Sequence, residues 1–527
     1  MGDVKKILPV LLLTTVCILF CASAADDSVK QLDALLKKDW QKNELTPVQS
    51  APDAVFLRRA YLDAAGILPT VAEARAFLRD KSPEKRAKLI EKLINSPEYA
   101  DMMAMRYSDM YRIKSEFPIN LWPNAVQAYH RYFLDNARRD RSYFDVVREL
   151  LTSNGSNFRV PAANFFRASA NRTPSGLASS AALSLLGMRY ENLSEDRQKA
   201  LAGFFSRIKY KSTNEWKEEI VFCNPEPAVV NAGTPDGIDF VINSPQQDPR
   251  KVFADWLLNR DNRYFARAYV NRVWSWFFGR GIVEPVDDMP LPENFWSKIG
   301  IASVSGSQPS NSELLDYLAD YFVKNNGSTR KLVRLIMSSS AYNADWKTLK
   351  AEQTLATQRF AVYPVRRIDS EVFIDILSIA VRNHESYSSV IPEPFTYLPK
   401  GTRAVQIADG SISSRMLDSF GRPPRDSGRV SERKRQIDDS QRLFLMNSGW
   451  IYTNAERSTR HLLRNRKLTF RNRADEIYLS LLSRYPTKAE YRTIEQYISS
   501  LGRKKQWRVW GEVVWALVNS KEFIYQH

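Results

Sequence analysis

The segment Phe265–Met289, FARAYVNRVWSWFFGRGIVEPVDDM, constrains this chain more than any other. It predicts an aromatic helix in which Trp274, Trp276, Phe277 and Phe278 bury a large apolar area, while Arg267, Asn271 and Arg272 supply polar contacts. Gly279 and Gly281 then permit backbone angles that other residues resist. The helix therefore ends in a sharp turn that delivers Glu284, Pro285, Asp287 and Asp288.

Amphipathic helix is the dominant pattern elsewhere. Ser82-Pro83 reads as a helix start ahead of a stripe of Ala87, Ile90, Leu93 and Ile94, and Ser96-Pro97-Glu98 as a second start. Ser310 with Glu313, and Thr487 with Glu490, fit capping boxes; the first precedes Leu314, Leu315, Leu318 and Phe322. The exception spans about 210–245, where EEIVFC, AVVNAG and IDFVI have strand-like content separated by Pro, Gly and Asn. The expected fold is mainly α, a multi-helical two-module protein with a small β-containing insert. A second irregular stretch, rich in Ser, Pro and Gly, runs over 385–430.

The N-terminus reads as an export signal. Lys5 and Lys6 precede an apolar run from Ile7 to Phe20, and Ala22-Ser23-Ala24 offers a small-residue cleavage site. That run is short for a membrane span, and no comparable run follows it. The expected location is outside the cytoplasm, periplasmic or extracellular, with no transmembrane segment once 1–24 is removed. Cys17 and Cys21 fall within this segment, leaving Cys223 alone, so no intrachain disulfide is expected; Cys223 reads as a buried small hydrophobe. Lys and Arg number 76 against 59 Asp and Glu, a net charge of +17. For an exported chain such an excess points to anionic partners, acidic or sulfated polysaccharide or another envelope component, with nucleic acid not favoured.

Two clusters carry candidate chemistry. Glu284, Asp287 and Asp288 in the glycine-flanked turn fit either a divalent cation or general acid–base work, with Asp287 and Asp288 as metal candidates; the structural alternative pairs them with Arg272, Arg280 or Arg366-Arg367. Arg422, Arg425, Arg429, Arg433 and Arg435 are anion-binding candidates, with Phe420 available for stacking. Their structural alternative is internal pairing with Asp426, Glu432, Asp438 and Asp439. Arg58, Arg59 and Asp63 share a helical period and read as buried ion partners that fix packing. His130, His384, His461 and His527 show no metal-ligand spacing. The chain has no nucleophile elbow, phosphate loop or zinc-hydrolase motif.

Several longer motifs carry a family resemblance. FLRRAYLDAAGILPT (Phe56–Thr70), LINSPEYA (Leu93–Ala100), ELLTSNGSNFRVPAANFFRA (Glu149–Ala168) and RTPSGLASSAALSLLGMR (Arg172–Arg189) occur in the first half. In the second come the segment from Asp248 to Met289, PSNSELLDYLADYF, YPVRRIDSEVFIDIL, FGRPPRDS and WALVNSKEFIYQH. In this order they resemble the exported planctomycete-type cytochrome C family, in which domains of unknown function 1549 and 1553 are fused. The resemblance implies a helical first domain over 28–208, a strand-bearing insert or linker over 209–247, and a helical second domain over 248–527.

The resemblance also implies a Cys-x-x-Cys-His haem motif after LLGMR and a cysteine pair after RPPRDS. Here those positions read Tyr190-Glu191-Asn192-Leu193-Ser194 and Gly428-Arg429-Val430-Ser431-Glu432-Arg433. No c-type haem or other cofactor is expected, apart from the divalent cation raised above. The joint loss suggests that the two clusters form one site in relatives, which requires 188–195 and 427–433 to be adjacent in space. The functional expectation is a binding or accessory protein for anionic polysaccharide at the cell envelope. An envelope enzyme, such as a metal-assisted hydrolase at the acidic turn, and a protein-docking scaffold are the alternatives.

Overall fold

Most of the chain is helical, and among the described residues strand is confined to one three-stranded sheet and two short pairs: helix accounts for 56% and strand for 6%. The computed structural model describes residues 27–290, 306–347, 353–392, 394–436, 438–465, 467–501 and 508–527. The signal-like residues 1–24 fall outside them.

Helix starts follow local chemistry. Ser96 caps Pro97–Met110 by accepting from the Tyr99 amide, with Pro97 in the first turn, where a missing N–H costs nothing. Thr487 and Glu490 form the expected capping box on Lys488–Ser500. Two expected starts shift. Helix Lys85–Ile94 begins two residues after Pro83, its cap residue Glu84 making no side-chain bond, and its buried face uses Leu89 while Ala87 is exposed. At the other, Asn311 rather than Ser310 caps Ser312–Lys324, because the Ser310 hydroxyl donates to the Ile282 carbonyl at 3.0 Å.

The strand-bearing segment is tied firmly to the first half of the chain. β1 (Gly155–Ser156), β2 (Ile208–Ser212) and β3 (Glu219–Cys223) form an antiparallel sheet of order β1-β3-β2, with Gly155 opposite Val221 and Ile208 opposite Cys223. β4 (Val230–Gly233) and β5 (Asp239–Ile242) make a hairpin beside it. The buried Arg207 guanidinium pins this region by donating to the carbonyls of Pro227, Ala228, Ser244 and Gln247 at 2.7–3.1 Å. Cys223 is half-buried rather than buried, and burial pushes its thiol up to about 11, so it stays protonated and inert.

One apolar core runs through both halves. Helix Arg263–Phe278 is buried along most of its length, and Tyr269 stacks on Tyr143 at 3.8 Å between ring centroids. Tyr107 meets Trp276 edge-on at 6.1 Å. The tyrosine hydroxyls satisfy one another inside this stack: Tyr107 with Tyr269 at 2.7 Å and Tyr111 with Tyr143 at 2.6 Å.

Arg58, Arg59 and Asp63 stitch the same junction, but among the described residues only Asp63 of the three does so through an ion pair. Arg58 donates to the Leu481 and Phe523 carbonyls, and Arg59 to those of Tyr342, Ala344 and His527. Asp63 accepts from Arg366 and from the Tyr342 and Tyr363 hydroxyls. A final pair, β6 (Arg366–Arg367) and β7 (Tyr525–Gln526), brings the end of the chain against this cluster, with Arg366 opposite Gln526.

Candidate functional site

The acidic turn is held by its neighbours, with Asp287 buried, Asp288 half-buried and Glu284 exposed. Asn271, on the buried face of the aromatic helix, clamps Val283 through a pair of bonds at 2.9 and 3.1 Å, and Glu284 accepts from the Gly281 amide at 2.8 Å. Asp287 receives Arg272 at 2.6 Å on one oxygen and the Val430 amide at 2.5 Å on the other. Asp288 takes the Ser307 hydroxyl at 2.8 Å, with Arg189 3.4 Å away. Asp287 is buried with both oxygens engaged, so it presents none to a ligand. Among the described residues no group of three or more His, Cys, Asp or Glu side chains is placed to hold a metal ion.

The arginine loop departs from the solvent-facing anion patch expected of it. Arg422, Arg425 and Arg433 are buried, Arg435 is half-buried, and only Arg429 of the five is exposed. Their partners come from distant helices and not from the neighbouring carboxylates. Arg425 and Arg433 grip opposite oxygens of Asp109 at 2.9 and 2.6 Å, and Arg433 forks onto Glu371 at 2.6 and 3.0 Å. Arg435 reaches Asp369 at 3.4 Å, as does Arg106 from the opposite side at 2.6 Å. Although burial opposes it, these guanidinia hold Asp369 well below the usual carboxylate range. In the same way Arg433 overcomes burial to hold Glu371 down at about 2. Phe420 is buried against Phe373, with ring centroids 4.7 Å apart, and offers no stacking face. The physical reason is that guanidinium forks and buried carboxylates satisfy each other at the junction, where leaving either alone would be costly.

The two candidate clusters nonetheless meet. The Val430 amide bonds Asp287, and Arg429 lies 3.8 Å from Glu191, so 188–195 and 427–433 are adjacent, as the joint loss of cysteines requires. Gly428, at φ +76, lets the same loop pack closely on the first half of the chain: a Cβ there would sit 2.8 Å from the Met110 carbonyl oxygen.

A larger groove lies elsewhere. It has a volume of about 630 Å³ and forms where the start of helix Asp53–Ala64 meets the β6–β7 pair and helix Lys521–Ile524. Trp346, Tyr525 and His527 supply its aromatic side, the Trp346 and His527 rings meeting edge-on at 5.8 Å. Lys347, Arg442, Arg484 and Lys521 supply positive charge against one lining carboxylate, Glu522. Arg484 already holds Glu522 at 2.6 and 2.7 Å and Arg442 lies 3.5 Å from Asp439, which leaves Lys347 and Lys521 as the main positive charge at the mouth. Burial first, and then the positive charge of Arg58, lower the His527 pKa, so its ring is neutral. These residues are scattered between Trp346 and His527, with no local motif; only Trp346-Lys347 puts a ring and a cation side by side.

Two family models match the chain. Residues 31–207 match PSCyt2, protein of unknown function (DUF1549), and residues 249–498 match PSD1, protein of unknown function (DUF1553). The chain is a fusion of these two domains. The buried arginine–carboxylate cluster therefore joins PSCyt2 residues Arg106 and Asp109 to PSD1 residues Asp369, Glu371 and Arg433, and β2–β5 occupy the interval between the matches. The groove likewise takes Pro52, Ala54 and Val55 from the PSCyt2 side. No curated protein and no solved structure matches the chain.

Proposed function

We propose that this protein is a non-catalytic binding protein for acidic or sulfated polysaccharide, exported by its N-terminal segment and working at the cell envelope. The observation that carries this reading is the 630 Å³ groove, in which aromatic rings stand beside Lys347, Arg442 and Lys521. Aromatic faces suit the apolar faces of sugar rings, and guanidinium and ammonium groups suit their carboxylate or sulfate substituents. The volume falls within the range of about 300–1,000 Å³ usual for small-ligand pockets, which suits one or two sugar units of a longer chain.

The test is calorimetric titration with sulfated and uronate-bearing oligosaccharides, with neutral ones as controls. Replacing Trp346 and Lys521 together by Ala should weaken binding at least tenfold, and wild-type affinity should fall as salt rises. Unchanged affinity in that variant, or equal binding of neutral oligosaccharides, sinks the proposal. The hydrolase alternative is less well supported, because both Asp287 oxygens are engaged by Arg272 and Val430. We also read the Arg429–Glu191 contact as standing where relatives carry their two cysteine clusters as one site. Relatives that load their two clusters independently would refute that reading.

A further inference from the structure

The junction between the PSCyt2 and PSD1 domains contains a small pocket of about 30 Å³ lined by Arg106, Arg272, Arg429, Arg433 and Arg435, with Asp109 as its one lining carboxylate. Trp276 and Met110 contribute apolar wall. We propose that this pocket binds a tetrahedral oxyanion, sulfate or phosphate, which acts as a charge-balancing latch between the two domains.

Charge and geometry both point this way. Asp109 is already shared by Arg425 and Arg433, and Asp369 by Arg106 and Arg435. Arg272 has Asp287, and among the described residues Arg429 has Glu191 at 3.8 Å. Glu371 is divided between Arg433 and the buried Arg422, 3.7 Å away. In this group seven guanidinia stand against five carboxylates, and five of the seven line the pocket, three of them buried, where an unbalanced charge is costly. An oxyanion has the shape for several guanidinium forks at once, and a site of this size exceeds the roughly 10–15 Å³ that one water needs. Arg429, with 47% of its side chain exposed, stands at the mouth.

This site is distinct from the groove, so its test is separate. Thermal unfolding of the full chain is followed while sodium sulfate or sodium phosphate replaces sodium chloride at constant ionic strength. We expect a saturable rise in Tm with at least one oxyanion and none from chloride. Arg429→Glu, a surface change that the fold tolerates, puts a carboxylate at the mouth and should weaken the apparent oxyanion affinity at least tenfold. The Trp346→Ala/Lys521→Ala groove variant should keep the full response. Selenate added to crystals should give an anomalous peak between Arg272 and Arg433. A response that chloride reproduces, or that Arg429→Glu leaves intact, overturns the proposal, as does selenate found only elsewhere. A response to sulfate alone, or to phosphate alone, identifies which oxyanion the latch accepts.

Discussion

Asp63 shows how much one carboxylate can organise. Buried between the two domains, it accepts from Arg366 and from two tyrosine hydroxyls, at 2.9 Å from Tyr342 and 3.1 Å from Tyr363. Removing it strands a buried guanidinium, which costs about 3–5 kcal/mol, whereas removing a single hydroxyl costs about 1 kcal/mol. Urea denaturation should therefore rank Asp63→Ala far below Tyr342→Phe in stability; equal losses would mean that water replaces the carboxylate. His130 gives a second residue-scale expectation. Burial first, then Arg425, Arg131 and Arg138, lower its pKa from 6.5 to about 3. As pH falls, the unfolded chain takes up this proton before the folded one. The stabilisation held by the neutral ring is thus complete above about pH 6.5 and declines toward pH 3, by at most about 1.4 kcal/mol per pH unit. His130→Gln should remove that component. Should the difference in stability between wild type and variant stay constant from about pH 7 to pH 4.5, the ring is not responsible.

Among the elements, the aromatic helix Arg263–Phe278 depends on how it ends. Gly279 takes φ +74, and a Cβ there would lie 2.6 Å from Arg366 Cδ, the side chain that pairs with Asp63. Gly237, in the β4–β5 turn at φ +96, has nothing within 4 Å of the same position. Gly237→Ala should cost about 1 kcal/mol, the backbone term alone. Gly279→Ala should cost at least twice that, because it also displaces Arg366. Thermal unfolding of the two variants checks the contrast, and equal losses would separate the turn from the ion pair. The same helix also anchors the acidic turn: Asn271 and Arg272 project from it to hold Val283 and Asp287.

For the whole molecule, the continuous core and the interdomain arginines predict cooperative unfolding. Tyr107 and Tyr143 from the first domain pack directly on Tyr269 and Trp276 from the second, so neither domain can open without exposing the aromatic faces of the other. Calorimetry should give one transition whose calorimetric and van't Hoff enthalpies agree; two resolved transitions would show that the domains are independent. Much of this architecture was legible in the chain. Helix periodicity, the Thr487 and Ser96 caps, the strand content before Ile242, and the Arg58, Arg59 and Asp63 pattern all depend on neighbours within a few residues. The partners of the arginine loop were not legible, because Asp109 precedes it by some 300 residues and any nearby carboxylate was an equally good candidate. The groove was hidden for the same reason, its lining drawn from both ends of the chain. The sequence by itself determined the mainly helical class, the order of elements, the buried aromatic helix and the positive charge excess, since periodicity and composition act locally or in sum. Only the tertiary structure decided which charges face one another and which face a ligand, because pairing a guanidinium with a carboxylate requires contact within about 4 Å, a distance that folding sets independently of chain separation.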